Sequence, residues 1–150
     1  MPIEITVKGN ETSSEYKAGI QLKEFFNKSI SKDVSGEILI ACNVTLFGQE
    51  VKDIDIVVIG SFEKGFKEKL KFRPRGEDEY VTRNVYFTNF CFAIELKNHQ
   101  VKDVSIGKLN NILVTYNGRK HDVTYQSEKQ KYSLHRYLKN IDEVGAYVYI

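Results

Sequence analysis

The chain has 150 residues, of which 41% are hydrophobic, so it can form one domain with a buried core. Its two prolines and the lack of a low-complexity tract argue against a disordered protein. Its formal net charge of +2 neither indicates nor excludes a nucleic-acid partner. Two cysteines do not make a disulfide framework, and the sequence shows no signal-peptide pattern and no apolar run of about 18 residues. We therefore expect a cytoplasmic protein without a membrane segment.

Residues 12–29 are predicted to form the first helix. Thr12, Ser13 or Ser14 can cap its start, and an apolar stripe follows at helical spacing: Ala18, Gly19, Leu22 and Phe26. Glu15 falls on the same stripe. Because it lies three residues after Thr12, it is explained either by a capping box or by a role in a functional site.

Three apolar segments, residues 37–47, 53–59 and 85–97, are predicted to be strands of a buried sheet. The second carries Asp53 and Asp55, and the third ends in Glu95 and Lys97. Glu95 and Lys97 are two residues apart and so lie on one face of the strand. An unpartnered buried charge is costly, so these residues need a reason to be there. If the two strands are neighbours, Asp55 and Glu95 converge, whereas Asp53 and Glu37 are expected to be exposed.

Residues 61–84 are predicted to be an insertion between the second and third strands. Basic residues are interleaved with phenylalanines there: Phe62, Lys64, Phe66, Lys67, Lys69, Lys71, Phe72, Arg73 and Arg75. Lysines neutralise phosphates and aromatic rings stack on unpaired bases, so a DNA-gripping hairpin is one interpretation, with Lys69, Lys71 and Arg73 as its contacts. The other is a solvated loop whose phenylalanines anchor it to the body.

Residues 104–106 and 111–116 are predicted to be short strands, the second ending at the turn Asn117-Gly118. A second helix is predicted over 123–141, with this stripe: Gln126, Gln130, Leu134, Leu138 and Ile141. The same helix is basic, with Lys129 as the first candidate for a phosphate contact. The three histidines have no metal-ligand spacing and are expected at the surface or in loops.

A last strand is predicted over 145–150, where the chain ends. The predicted fold is therefore a single α/β domain in which a helix flanks each side of a mixed sheet. A chain that ends inside a buried strand leads us to expect the N-terminal module of a longer protein.

Two carboxylates and a backbone carbonyl are hard oxygen ligands of the kind that Mg²⁺ or Mn²⁺ prefers. Such an ion polarises a phosphodiester and activates a bound water, and a lysine beside it orients that water or offsets charge on the phosphate. Acid, acid and lysine together therefore predict a metal-dependent phosphodiesterase site at Asp55, Glu95 and Lys97.

These segments resemble the PD-(D/E)XK nuclease superfamily, and within it the nuclease-related domain (NERD) family. Residues 14–20 resemble that family's first helix, 53–58 its Glu-Ile-Asp strand, 93–98 its Glu-x-Lys strand and 122–126 a diverged Asn-Pro-x-x-Gln motif. Two departures from the family are the missing Asn-Pro and the separation of 40 positions between Asp55 and Glu95.

The resemblance implies a restriction-endonuclease-like α-β-β-β-α-β core and a Mg²⁺- or Mn²⁺-dependent nuclease, with DNA favoured as substrate. It implies that Asp55, Glu95 and the Leu96 carbonyl bind the metal, that Lys97 positions the water and that Glu15 completes the site. Gln126 takes the family's glutamine position, with Gln130 as the other candidate and a further nucleic-acid contact.

The resemblance also leads us to expect a covalently linked helicase or another C-terminal domain, or a role in defence. Two alternatives remain open. One is a catalytically inactive nucleic-acid-binding module of the same fold. The other is a scaffold domain that forms a homo-oligomer through the basic insertion.

Overall fold

The computed structural model describes residues 3–72, 78–97, 103–107 and 111–140. In chain order these form β1 (Glu4–Lys8), α1 (Ser14–Ser29), β2 (Gly36–Thr45), β3 (Asp53–Phe72), β4 (Val81–Ile94), β5 (Val104–Ile106), β6 (Ile112–Tyr116), β7 (Arg119–Asp122) and α2 (Thr124–Lys139). The expected mixed α/β class is confirmed. Strands β1 and β7 were not predicted from the sequence, because they are short and carry few apolar residues.

The larger sheet has the order β1-β2-β3-β4 and is mixed, because β1 runs parallel to β2 while the other pairs are antiparallel. Its centre is aliphatic: Ile40 pairs with Val58, and Ile56 pairs with Ile94. Such runs suit strands that are covered on both faces. A second, antiparallel sheet has the order β5-β6-β7.

The two helices pack on opposite faces of the four-stranded sheet. Ile56 and Val58 belong to one buried cluster, which Ala18, Leu22 and Phe26 of α1 cover. Val57, between them, belongs to a second cluster with Leu134 of α2. Because successive strand residues point to opposite faces, this alternation separates the helices and confirms a helix on each side of the sheet.

Helix α1 is capped by Ser13, one of the three residues predicted as candidates for its N-cap. Ser13 is extended and its hydroxyl accepts a hydrogen bond from the Tyr16 N–H at 3.1 Å. The N–H of Thr12 instead donates to Asn10 Oδ1 at 3.1 Å. The capping box between Thr12 and Glu15 is therefore wrong, and that explanation of Glu15 falls away.

The predicted insertion is not a solvated loop. Strand β3 continues to Phe72 and β4 begins at Val81, so residues 61–84 largely extend the β3–β4 hairpin, with a register shift between Ser61 and Phe66. Phe62 is 5% exposed and contacts the rings of Phe87 and Phe90, so it is not available to stack on bases. Arg73 and Arg75 lie outside the described residues.

Three further differences concern segment ends. Strand β4 ends at Ile94 and not at 97, and α2 spans Thr124–Lys139 and not 123–141. Ile141, His99 and the predicted strand 145–150 lie outside the described residues. Neither of the two described helices, each of 16 residues, has the length and apolar character needed to cross a membrane.

Candidate metal-dependent active site

The ends of β3 and β4 bring the predicted acids together. Ile56 pairs with Ile94, so Asp55 and Glu95 lie opposite one another one residue further along. The Leu96 N–H donates to Asp55 Oδ2 at 2.7 Å. That bond takes the amide away from the sheet, which explains why β4 ends before the Glu-x-Lys motif. The predicted convergence of these residues is present in the structure.

Glu95 is held by three nitrogen donors. Lys97 Nζ lies 2.6 Å from Glu95 Oε1, and Gln126 Nε2 donates to the same oxygen at 2.7 Å. Gln130 Nε2 donates to the other oxygen, Oε2. Lys97 Nζ also donates to Gln126 Oε1 at 3.1 Å, so that Glu95, Lys97 and Gln126 bond to one another in a ring.

Both candidate glutamines therefore reach the site, each on a different oxygen of Glu95. They lie four residues apart on α2 and so on one helix face, which Leu134 continues into the core. Gln130 is 2% exposed, whereas Gln126 is exposed to solvent. The unusual glutamines on the predicted apolar stripe are explained by this half-buried carboxylate.

Glu15 approaches the site from the start of α1 through Asn43. Asn43 lies between Cys42 and Val44, which pair with Ile56 and Ile54, so it stands opposite Asp55. Its φ of 56° is in the left-handed region that asparagine tolerates, and its side chain accepts from the Ser13 hydroxyl at 3.1 Å. Hydrogen bonds from the Glu15 backbone, Asn43 and Ser14 hold the pKa of Glu15 below its usual range.

The pKa values of Asp55 and Glu95 move in opposite directions. Burial raises the pKa of Asp55 above its usual value; the Leu96 N–H opposes the shift, and the charges of Glu95 and Glu15 add to it. Burial also acts on Glu95, but hydrogen bonds from Lys97 and Gln130 outweigh it and leave the pKa of Glu95 below its usual value. The surroundings thus favour the ionised form of Glu95, whereas burial, and to a lesser extent the charges of Glu95 and Glu15, disfavour the ionised form of Asp55.

The donor set agrees with a hard divalent cation. Asp55 and Glu95 offer carboxylate oxygens, and Glu95 Oε2 accepts a hydrogen bond from Gln130 Nε2. The buried Gln130 Oε1 has no hydrogen-bond partner among the described residues, which leaves another oxygen acceptor beside Glu95. No cluster of three or more His, Cys, Asp or Glu side chains suited to a metal occurs in the described ranges. A metal ion at this place would need backbone or amide oxygens in addition to the two carboxylates.

The other predicted acids lie apart from the site. Asp53 is exposed, and its carboxylate accepts from the Thr45 hydroxyl at 3.3 Å. Glu37 is also exposed, as expected. Of the described histidines, His121 is exposed and His135 is half-buried.

The predicted nucleic-acid contacts differ in their surroundings. Lys129 Nζ forms an ion pair with Glu50 at 2.8 Å and lies 5.0 Å from the centre of the Tyr125 ring, so it already has partners. Lys69 and Lys71 are exposed on the β3–β4 hairpin, where Lys71 lies 5.2 Å from the Tyr80 ring centre. Arg73 lies outside the described residues.

Asn43, which forms a hydrogen bond with Glu15, was not among the residues predicted from the sequence. The available signal was a polar residue inside the aliphatic run 38–46, at a place where an apolar side chain is expected.

In comparisons with known proteins, no family model, curated protein or solved structure matched the chain. The family resemblance therefore stays a prediction based on its motifs.

Proposed function

We propose that the protein is a Mg²⁺- or Mn²⁺-dependent nuclease that hydrolyses phosphodiester bonds, with DNA as the favoured substrate. The observation that supports this most directly is the convergence of Asp55, Glu95, Leu96 and Lys97 at one end of the β3–β4 pair. The resemblance of the same residues to the PD-(D/E)XK pattern is independent support.

Each residue has a distinct role in this proposal. Asp55, Glu95 and the Leu96 carbonyl would hold the divalent ion, which would supply Lewis-acid stabilisation and activate water for attack. Lys97 brings a positive charge to the edge of the metal site, where it orients the attacking water and offsets negative charge on the phosphate. Gln126 fixes Lys97 relative to Glu95, because it bonds to both.

A non-catalytic nucleic-acid-binding module of the same fold is the second candidate. The direct Lys97–Glu95 ion pair favours it, because a lysine that only neutralises a half-buried carboxylate also accounts for the motif. The two candidates differ in one respect that is easily measured: the enzyme breaks phosphodiester bonds and needs a metal, and the module does neither.

The test is to incubate the protein with supercoiled plasmid and with a labelled single-stranded oligonucleotide, in Mn²⁺ or in EDTA. We expect cutting in Mn²⁺ and none in EDTA. Asp55→Ala should abolish cutting, and Lys97→Ala should slow it by about 10²–10³-fold, the usual effect of losing one charge-stabilising group. Asp53→Ala is the matched control, since Asp53 lies on the same strand two residues away and is exposed.

Two results would contradict the proposal. Binding of DNA without cutting, in Mg²⁺ as well as in Mn²⁺, would identify the non-catalytic module. Equal loss of cutting in Asp53→Ala and Asp55→Ala would mean that both substitutions disturb strand β3, and that cutting does not depend on the Asp55 carboxylate in particular. Circular dichroism of each variant establishes that the fold is intact.

A further inference from the structure

The outer part of the β3–β4 hairpin extends beyond the rest of the four-stranded sheet. Pairing between β2 and β3 ends at Gly36 and Phe62, whereas β3 and β4 pair as far as Phe72 and Val81. From residue 66 to residue 72 the hairpin is therefore a two-stranded ribbon, with no third strand among the described residues.

One face of this ribbon carries lysines on one strand and neutral polar side chains on the other. Positions 67, 69 and 71 of β3 alternate and so share a face, and each is paired with a neutral residue of β4. All six residues are exposed, and we call them the lysine face: Lys67, Lys69, Lys71, Thr82, Asn84 and Tyr86. Val85 and Phe87, at the intervening positions of β4, are half-buried, so the lysine face is the outer one.

The charges of Lys67 and Lys69 are not balanced by acids within the described part of the chain. Neither lysine forms an ion pair there, and the residue opposite each one is uncharged. Lys71 lies 5.2 Å from the centre of the Tyr80 ring, a contact that leaves its positive charge in place. Opposite charges across a strand pair stabilise a hairpin, whereas like charges along one strand repel. This face therefore suits an anionic partner.

The composition of the lysine face favours double-stranded DNA over other anions. Its β4 residues offer hydroxyl and amide groups, which hydrogen-bond phosphate oxygens. A two-stranded ribbon fits the major groove of B-form DNA, whereas the major groove of an RNA duplex is too narrow for side chains. A bilayer surface takes up apolar side chains, but the exposed Leu70 lies at an intervening position and so on the opposite face. A second copy of the chain is disfavoured, because two lysine faces repel each other.

We propose that the lysine face binds the phosphate backbone of double-stranded DNA, independently of base sequence. The inference goes beyond the proposed nuclease function and does not rest on it, because the two sites are separate. Lys67 follows Asp55 by 12 positions on the same strand, which is up to about 40 Å of extended chain. The contact is to the duplex backbone and not to the unpaired bases that the sequence suggested for this segment.

The test measures binding by fluorescence anisotropy in EDTA, so that no cutting occurs, over a range of salt concentrations. The probes are two fluorescein-labelled DNA duplexes of equal length and unrelated sequence. Each phosphate that a protein neutralises contributes about 0.9 to the slope of log association constant against log salt concentration. We expect the double variant Lys67→Gln/Lys69→Gln to bind both duplexes more weakly and to lower the slope by about 1.8.

Two further double variants serve as controls. Lys17→Gln/Lys28→Gln removes the same charge from exposed positions of α1 and should leave the slope unchanged. Lys67→Arg/Lys69→Arg keeps both charges and should keep the wild-type slope. No binding of duplex by the wild type, an unchanged slope in Lys67→Gln/Lys69→Gln, or an equal loss in the α1 variant would overturn the inference.

Other partners and the nuclease proposal are tested on the same proteins. Tighter binding of double-stranded RNA, of single-stranded DNA or of vesicles containing phosphatidylserine, lost in Lys67→Gln/Lys69→Gln, would replace duplex DNA as the partner and overturn the inference. Cutting in Mn²⁺ together with an unchanged salt slope in that variant refutes the lysine face alone. A lowered slope without any cutting by the wild type supports the lysine face and refutes the nuclease proposal alone.

Discussion

Asp55 and Glu95 lie at the same end of the sheet, but their surroundings act on them differently. Glu95 has Lys97, Gln126 and Gln130 around it, whereas Asp55 has the Leu96 N–H and two other carboxylates nearby. A pair of acids with pKa values moved apart is a common feature of sites that act on protons or cations. Without a cation, the crowding at Asp55 costs stability.

We therefore expect Asp55→Asn to stabilise the metal-free protein at neutral pH. The folded pKa of Asp55 is above its usual value, so the folded state binds this proton more tightly than the unfolded state does. The penalty is absent below the usual pKa and grows as the pH rises through the folded pKa. Asparagine removes the charge and keeps an oxygen that accepts from Leu96.

Thermal unfolding in EDTA at pH 7 and near pH 3 checks this. The melting temperature of Asp55→Asn should exceed that of the wild type at pH 7, and the difference should shrink in acid. Asp53→Asn is the control and should show neither effect. A less stable Asp55→Asn at pH 7 would mean that the carboxylate contributes favourably to the metal-free fold.

At the scale of elements, Gly19 determines how closely α1 approaches the sheet. A Cβ at this position would lie 2.8 Å from Cys42 Sγ and 3.1 Å from Val7 Cγ1. Because Gly19 is one turn after Glu15, the approach of α1 also places Glu15 beside Asn43.

Gly19→Ala should therefore destabilise the protein, although alanine is favoured over glycine within helices by about 1 kcal/mol. Overpacking of this kind typically costs about 1–3 kcal/mol. In a Cys42→Ala background the nearest clash is removed, so the same substitution should cost less or become favourable. Urea unfolding of the four proteins in this cycle measures the coupling, and additive effects would contradict it.

Some of the elements could be predicted from the sequence, and others could not. Strands 53–59 and 37–47 were predictable because their aliphatic runs are long and continuous. The hairpin extension was not, because its lysine-rich strand has the composition of a loop and is stabilised by cross-strand pairing, as between Lys69 and Asn84. The end of β4 depends on the bond between Leu96 and Asp55, 41 residues apart, which no local pattern contains.

For the whole molecule, metal binding should appear as added stability. An ion that binds only the folded state stabilises it by about 2.7 kcal/mol at one hundred times its dissociation constant. We expect Mn²⁺ to raise the melting temperature of the wild type and of Asp53→Ala, and to leave that of Asp55→Ala unchanged. Equal shifts in all three proteins would place the bound metal elsewhere.

The site as a whole was predictable in part, for a physical reason. Asp55, Glu95 and Lys97 could be identified because charges inside apolar strands are conspicuous. Asn43 could not, since its place opposite Asp55 depends on the pairing of β2 with β3, which no local pattern contains.

Two of the three groups that hold Glu95 are carboxamides, which neither gain nor lose a proton in water. A histidine in their place would change its charge on mild acidification, and these amides do not. Because its pKa is raised, Asp55 is the carboxylate of this pair that takes up a proton first as the pH falls. The hydrogen bonds from α2 to Glu95 are the same in a mildly acidic and a neutral compartment.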